Sequence, residues 1–286
     1  MRALLDVPAP AKLNLFLHVT GRRPDGYHLL QSAFMLIDWC DTLHFERRDD
    51  GRISREDLGA PLPADDLATR AAHALQQATG CALGVHIGLD KQVPMQAGLG
   101  GGSSDAATTL LALNRLWRLD LPRARLAAIG LGLGADVPFF LFGGNAWVQG
   151  VGEQLEPLAL PHARFVVLKP PAGLATAEIF ADPALKRDSD PATISGFAAD
   201  PFGFGRNDLQ PVAERLCPQV AQGLALLARQ GLAGRMTGAG SAVFARVPDA
   251  AAGVKDGALA LPPGWSMRSC GNLEAHPLVG WAASGE

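Results

Sequence analysis

The stretch Pro94-Met95-Gln96-Ala97-Gly98-Leu99-Gly100-Gly101-Gly102-Ser103-Ser104-Asp105 constrains this chain more than any other. Four glycines in five residues permit backbone conformations and close approaches that a Cβ would forbid. The pattern then turns helical from Ala106 to Trp117, and the two serines suit the capping of its start. Unmatched N–H groups and the positive end of a helix dipole would face the loop, which makes an anion site, most often a phosphate site. The strand-like run Val85-His86-Ile87-Gly88-Leu89 supplies a strand–loop–helix order. A tight glycine turn before an ordinary helix is the competing reading.

Commoner phosphate loops are excluded. A Walker A loop needs Gly-Lys followed by Ser or Thr, and no Gly-Lys dipeptide occurs in the 286 residues. The G-x-G-x-x-G dinucleotide pattern fails at Ser103, where its last glycine would stand. A formal net charge of −3 gives no reason to expect a nucleic-acid or membrane partner. The longest uncharged run, after Asp136 and before Glu153, contains Pro138, Gly143, Gly144 and Asn145 and does not read as a membrane span. With no signal-peptide core before Asp6 and Pro8, a cytoplasmic location is expected. Cys40, Cys81, Cys217 and Cys270 are far apart and read as buried thiols, and the scattered histidines suggest no protein metal site.

Strand-like and helical patterns alternate in both halves, which predicts an α+β protein of about two domains. Ala11 to Thr20 alternates as a strand with Leu13, Leu15, Leu17 and Val19 on one face. Asp65 to Thr79, Arg123 to Leu131 and Val212 to Gly231 read as helices. Leu36 to Arg47, Gly143 to Gly150, Phe165 to Leu168 and Ala242 to Val247 read as strands, and Asp182 to Phe204 as an irregular surface excursion. The boundary falls near residues 155–162, giving units 1–158 and 159–286.

Three further segments carry suitable chemistry. Lys12, one of five lysines against twenty arginines, sits in Ala11-Lys12-Leu13-Asn14, a costly place for a charge without a partner. Snorkelling from a strand edge is the alternative. Asp136, in Leu133-Gly134-Ala135-Asp136-Val137-Pro138, is the only charge between Arg125 and Glu153. It needs a partner or a task, or else caps a helix. Met236-Thr237-Gly238-Ala239-Gly240-Ser241-Ala242 is a second glycine turn before a strand.

In this order these segments, with Gly21-Arg22-Arg23-Pro24-Asp25-Gly26-Tyr27-His28, resemble the GHMP kinase superfamily over roughly residues 8 to 275. The detailed pattern is similar to its branch that phosphorylates the C2 hydroxyl of a cytidine-diphosphate-linked methylerythritol. The resemblance implies a two-domain GHMP kinase fold: an N-terminal domain like ribosomal protein S5 domain 2 and a ferredoxin-like C-terminal domain, with the active site between them. It implies ATP as co-substrate, bound by Pro94 to Ser104, with Mg²⁺ carried mainly on the nucleotide phosphates. Asp136 would take the proton of the acceptor hydroxyl, and Lys12 would lie beside it and offset charge at the transferred phosphoryl. Asn14 would bond the erythritol end. Tyr27, the only tyrosine, would stack on the cytosine while His28 bonds it; Phe180 would cover the opposite face, with Thr176 nearby. Two positions depart from the family pattern. Gln96-Ala97 stands where relatives often carry glycines. Asp65-Asp66-Leu67 stands where they often carry an asparagine near the adenine, and an aspartate cannot donate that hydrogen bond. The alternatives are another GHMP kinase, of mevalonate or homoserine type, and a nucleotide-binding regulator without chemistry.

Overall fold

A computed structural model describes residues 1–59, 61–248 and 260–284. The chain opens with two long antiparallel strands, β1 (Ala3–Arg22) and β2 (His28–Arg48). There follow β3 (Ile53–Asp57), helix α1 (Leu67–Thr79), β4 (Gly84–Asp90), α2 (Gly101–Leu116), α3 (Arg123–Leu131), α4 (Val137–Phe142), β5 (Ala146–Gln149) and β6 (Gln154–Pro157). The first sheet runs β3-β4-β2-β5-β6, with β1 also paired to β2. The second half supplies β7 (Arg164–Lys169), α5 (Thr176–Ala181), α6 (Ile194–Ala198), α7 (Gln210–Leu216), α8 (Pro218–Ala228), β8 (Gly234–Met236), β9 (Val243–Val247) and β10 (Ser266–Gly271). Its antiparallel sheet runs β10-β7-β9-β8.

Three apolar clusters set the layers. Helices α1, α2 and α4 pack on the first sheet through Leu75, Leu110, Leu113, Phe139 and Phe140. Leu13, Leu15, Met35 and Trp147 of the first sheet meet Phe165, Val167 and Phe244 of the second. Val166, Leu168 and Val243 pack on the other side of the second sheet against Val212, Val220 and Leu227 of α7 and α8. The layers therefore run helix, sheet, sheet, helix. Strand β1 lies inside this stack, so its burial does not alternate as the sequence pattern suggests. Lys12, Asn14 and Phe16 are as buried as Leu13 and Leu15.

Local chemistry explains most boundaries. Asp66 caps α1 by accepting from the Ala68 and Thr69 amides at 2.8 and 3.0 Å, and Gly80 ends it in the left-handed region. Helix α2 starts earlier than its serines suggest: Gly100 is the cap residue, and Ser103 and Ser104 stand inside the first turn. The helix expected over Val212 to Gly231 is two helices. Pro218 forces the preceding Cys217 out of the helical region (φ −137°, ψ 88°), and the chain restarts as α8. Of the four cysteines expected to be buried, Cys217 and Cys270 are, while Cys40 and Cys81 are only half-buried.

The segment expected to be a surface excursion does run largely at the surface, and it is anchored at a few points. The Ser189 amide donates to the Val19 carbonyl at 3.0 Å, and the Ala192 amide to Gln31 Oε1 at 2.7 Å. Phe197 of α6 packs its ring 5.7 Å from Phe16 and 5.8 Å from Trp147. Between those anchors the Pro-, Asp- and Gly-rich path is irregular and mostly exposed, with Leu185, Ser189 and Phe197 buried. The last stretch of chain also returns: Asn272 bridges to Ile37 and Ala275 to Gly144, and Leu278 joins the first cluster. Among the described residues no helix is long and apolar enough to cross a membrane.

If the 182–204 segment is part of the packed structure, Phe197→Ala should lower unfolding free energy by about 3–5 kcal/mol, the usual loss for a buried phenylalanine. Urea denaturation reads this, and a loss below about 1 kcal/mol would show a detached segment.

Candidate active site

The glycine loop joins β4 to α2 and is divided between anchoring and open residues. Ala97 and Leu99 are buried in the cluster between the sheets, and Ser104 is buried in the helix. Met95, Gln96 and Gly102 are exposed, while Pro94, Gly98, Gly100 and Ser103 are half-buried. The first amides of α2, at Gly101, Gly102 and Ser103, have no carbonyl one turn earlier within the helix, so they remain available to an anion.

The loop's glycines answer to the protein as well as to any ligand. Gly98 has φ +73°, and a Cβ there would stand 2.1 Å from the Thr237 carbonyl oxygen. Gly100 has φ +72°, and its Cβ would meet Phe140 Cζ at 2.9 Å and Lys12 Cγ at 3.1 Å. The close approach inferred from the sequence is therefore first of all an approach to neighbouring chain.

That neighbour is the second glycine turn, which connects β8 to β9. The Ser241 amide donates to the Gln96 carbonyl at 3.3 Å, and the Ala242 amide to the Ala97 carbonyl at 3.2 Å. Thr237 Oγ1 donates to the Gly98 carbonyl at 3.3 Å and accepts from the Asn14 amide at 2.9 Å. The Lys12 amide donates to the Leu99 carbonyl at 2.9 Å. Strand β1, the anion loop and the β8–β9 turn are thus one hydrogen-bonded unit. The sequence singled out that turn as a segment but gave Thr237 itself no role.

Lys12 is not a snorkelling lysine. It is 3% exposed, donates to Asn14 Oδ1, lies 3.5 Å from Asp136 Oδ2, and sits 4.7 Å from the centre of the Phe34 ring. Asp136 occupies the cap position of α4 but bonds none of that helix's amides. Its carboxylate is 32% exposed, so it is paired on one side and open on the other. Asn14 Nδ2 donates to Ser32 Oγ at 3.0 Å, so both ends of that amide are engaged within the protein.

A second lysine, Lys91, lies behind the loop. Its ammonium donates to Asp41 Oδ2 and, at 2.7 Å, to Asp105 Oδ2. The other Asp41 oxygen accepts from the Gln92 and Val93 amides at 2.6 and 2.7 Å, pinning the loop's entry. Burial, set against the Lys91 charge and reinforced by that of Asp41, pushes the Asp105 carboxyl up to about 8. No sequence signal marked this cluster, since a lysine before a loop and an aspartate after it are ordinary.

The residues expected to hold a base lie on the first turn and on α5. Tyr27 is 65% exposed, His28 and Phe180 are half-buried, and Thr176 is exposed at the start of α5. The ring stacked on Phe180 is His28, with centroids 4.9 Å apart and planes at 30°. Arg187 Nε donates to His28 Nε2 at 3.0 Å, a contact the sequence did not suggest. Burial first, then the charges of Arg187 and Arg22, lower the His28 pKa.

Family models agree with this architecture. The GHMP kinases N terminal domain matches residues 66–144, and the GHMP kinases C terminal domain matches residues 194–259. The chain belongs to the GHMP kinase family. This GHMP kinase is 65% identical over 285 residues to the 4-diphosphocytidyl-2-C-methyl-D-erythritol kinase of Albidiferax ferrireducens, covering 99% of this chain and 97% of that one. It is 65% identical over 287 residues to the protein of the same name from Paracidovorax citrulli, with 99% of each chain covered. Among solved structures, that of a 4-(cytidine 5'-diphospho)-2C-methyl-D-erythritol kinase aligns with a TM-score of 0.77 and 35% identity, covering 93% of this chain and 98% of that one.

The Asp105 cluster gives this kinase a pH signature. The unfolded carboxyl loses its proton near the ordinary 3.8, and the folded one is pushed up to about 8. Between these values the folded state holds more protons, so stability falls as pH rises. Urea midpoints should drop from pH 5 to pH 8.5 in the wild type, and Asp105→Asn, with no proton to lose, should flatten that slope. An unchanged slope would mean that Asp105 is ionised throughout.

Proposed function

We infer that this GHMP kinase transfers the γ-phosphoryl of ATP to the C2 hydroxyl of 4-diphosphocytidyl-2-C-methyl-D-erythritol. The observation that carries the reaction type is the Lys12–Asp136 pair, with its open carboxylate on the chain leading into α4 and its lysine tied to the anion loop. The substrate follows from relatives of that name that are 65% identical over nearly the whole chain. A mevalonate or homoserine acceptor would leave the aromatic Tyr27, His28 and Phe180 set without a base to hold.

In this reading the amides at the start of α2 hold the ATP phosphates, and Lys12 faces the transferred group. Asp136 accepts the C2 hydroxyl proton as that oxygen bonds to the γ-phosphorus. The bond from phosphorus to the bridging oxygen breaks, and ADP leaves with the electron pair. Positioning and electrostatics supply most of the rate. Asn14, already bonded to Lys12 and Ser32, would meet the erythritol end chiefly by holding the lysine in place.

Magnesium fits as a guest of the nucleotide. Among the described residues no three His, Cys, Asp or Glu side chains converge, so its ligands would be mainly phosphate oxygens. The Ser103 hydroxyl faces Gly134, two residues before Asp136, and Ser103 and Asp136 carry the side-chain oxygens that would complete its shell. When bound, the ion neutralises phosphate charge. We also read the chain as units 1–158 and 159–286, a division supported by the change of sheet between Pro157 and Arg164. Four cysteines without a C-x-x-C pair fit a reducing cytoplasm.

In a coupled ADP-release assay with Mg-ATP and the cytidine substrate, Asp136→Asn should lose about 10²–10⁴-fold in kcat while still binding ATP. Near-normal kcat in that variant would remove Asp136 from the chemistry.

A further inference from the structure

One guanidinium organises the aromatic end of the site. Besides His28 Nε2, Arg187 donates to the carbonyls of Phe180 at 3.1 Å, Asp182 at 2.7 Å and Leu185 at 3.0 Å. It therefore ties the end of α5 and the chain after it to the start of β2, and sets the His28 ring on Phe180. The Asp182 carboxylate pairs with Arg215, so Arg187 hydrogen-bonds that residue at its carbonyl while lying within electrostatic range of its side chain.

The chemistry of this contact fixes a proton. A guanidinium only donates and does not give up its charge in the working pH range. His28 Nε2 must then be the acceptor, with a free lone pair and no hydrogen. The single proton of the neutral ring lies on Nδ1. Protonating Nε2 would set two N–H donors against each other, and the other charged group facing the ring, Arg22, is also a cation. His28 can therefore donate from Nδ1 and has no accepting nitrogen left for a ligand.

A donor of this kind, set against ring position 3 of a base, separates pyrimidines. Cytosine has a bare, accepting N3, whereas uracil carries a hydrogen there. We propose that Arg187 is a positioning residue that locks His28 as the neutral Nδ1–H tautomer, and that this lock makes the site prefer a cytosine over a uracil base. The proposal rests on the reading of His28 as a base contact.

Two measurements test it. Long-range ¹H–¹⁵N spectra of the labelled wild type, with His28 assigned by His28→Gln, should show a protonated Nδ1 and a bare Nε2. A protonated Nε2 overturns the proposal. Steady-state kinetics with the cytidine substrate and its uridine counterpart provide the second readout. Arg187→Ala should raise KM for the cytidine substrate about tenfold, change kcat less, and narrow the cytidine-to-uridine ratio of kcat/KM by about tenfold, the scale of one hydrogen bond. Arg187→Gln, whose amide can still donate to Nε2, should recover most of the preference. An unchanged ratio in Arg187→Ala, while His28→Gln raises KM, overturns the proposal alone. If His28→Gln leaves KM unchanged for both substrates, the reading of His28 as a base contact fails instead. Should Arg187→Ala not fold, the wild-type tautomer and Arg187→Gln decide.

Discussion

The buried ammonium of Lys12 is the constraint around which the site is arranged. A charge that is 3% exposed must be compensated within the protein or the fold loses several kcal/mol. Three groups do so: the Asn14 amide oxygen, the Asp136 carboxylate and the face of the Phe34 ring. These come from β1, the approach to α4, and β2. Holding one cation therefore fixes the relative positions of three elements, and the Lys12 backbone amide adds the anion loop as a fourth. Removing any partner would leave a charge that cannot reach water.

The two glycine turns extend that unit across the molecule. Side chains cannot bring two loops closer than their own bulk, but backbone can. Gly98 and Gly238 allow the anion loop and the β8–β9 turn to touch, each with a positive φ that a larger residue would resist. The contact places the loop of the first sheet directly on the second. Geometry at the phosphate end is consequently set by both halves of the chain, and a displacement of either sheet would be felt at α2. This is why Thr237, 223 residues from Asn14 in sequence, shares a hydrogen bond with it.

How much of this was legible in the sequence depends on whether a signal was local. The anion loop, Asp136 before its proline and the unusual lysine at position 12 each break a local rule, and each lies in the site. The helix break at Pro218 was also local and went unread, because the apolar pattern carried across it. The anchoring of the 182–204 segment could not be read, since its hold comes from Val19, Gln31 and Trp147, all distant in sequence. The same applies to Arg187. An arginine in a polar stretch is unremarkable until the fold sets it beside a histidine ring. The Lys91 cluster was hidden for a different reason: its members are common residue types in ordinary places, and only burial gives them meaning.

Lys12 with Asp136 and Lys91 with Asp41 and Asp105 show how burial divides one chemistry into two tasks. Both groups flank the start of α2, and both pair a lysine with carboxylates. Around Lys91 the pairing is closed: Asp41 is fully buried, Asp105 is 4% exposed, and the remaining Asp41 oxygen is used by the loop's own amides. Such a group can hold structure but cannot exchange a proton with a ligand. Around Lys12 the carboxylate is open, with one side on the ammonium and the other on solvent. A reacting hydroxyl can replace water at Asp136 without disturbing the ion pair. The two clusters thus differ at the helix end, one closed and fixing the loop and the other open to a ligand, and solvent access rather than residue type sets them apart.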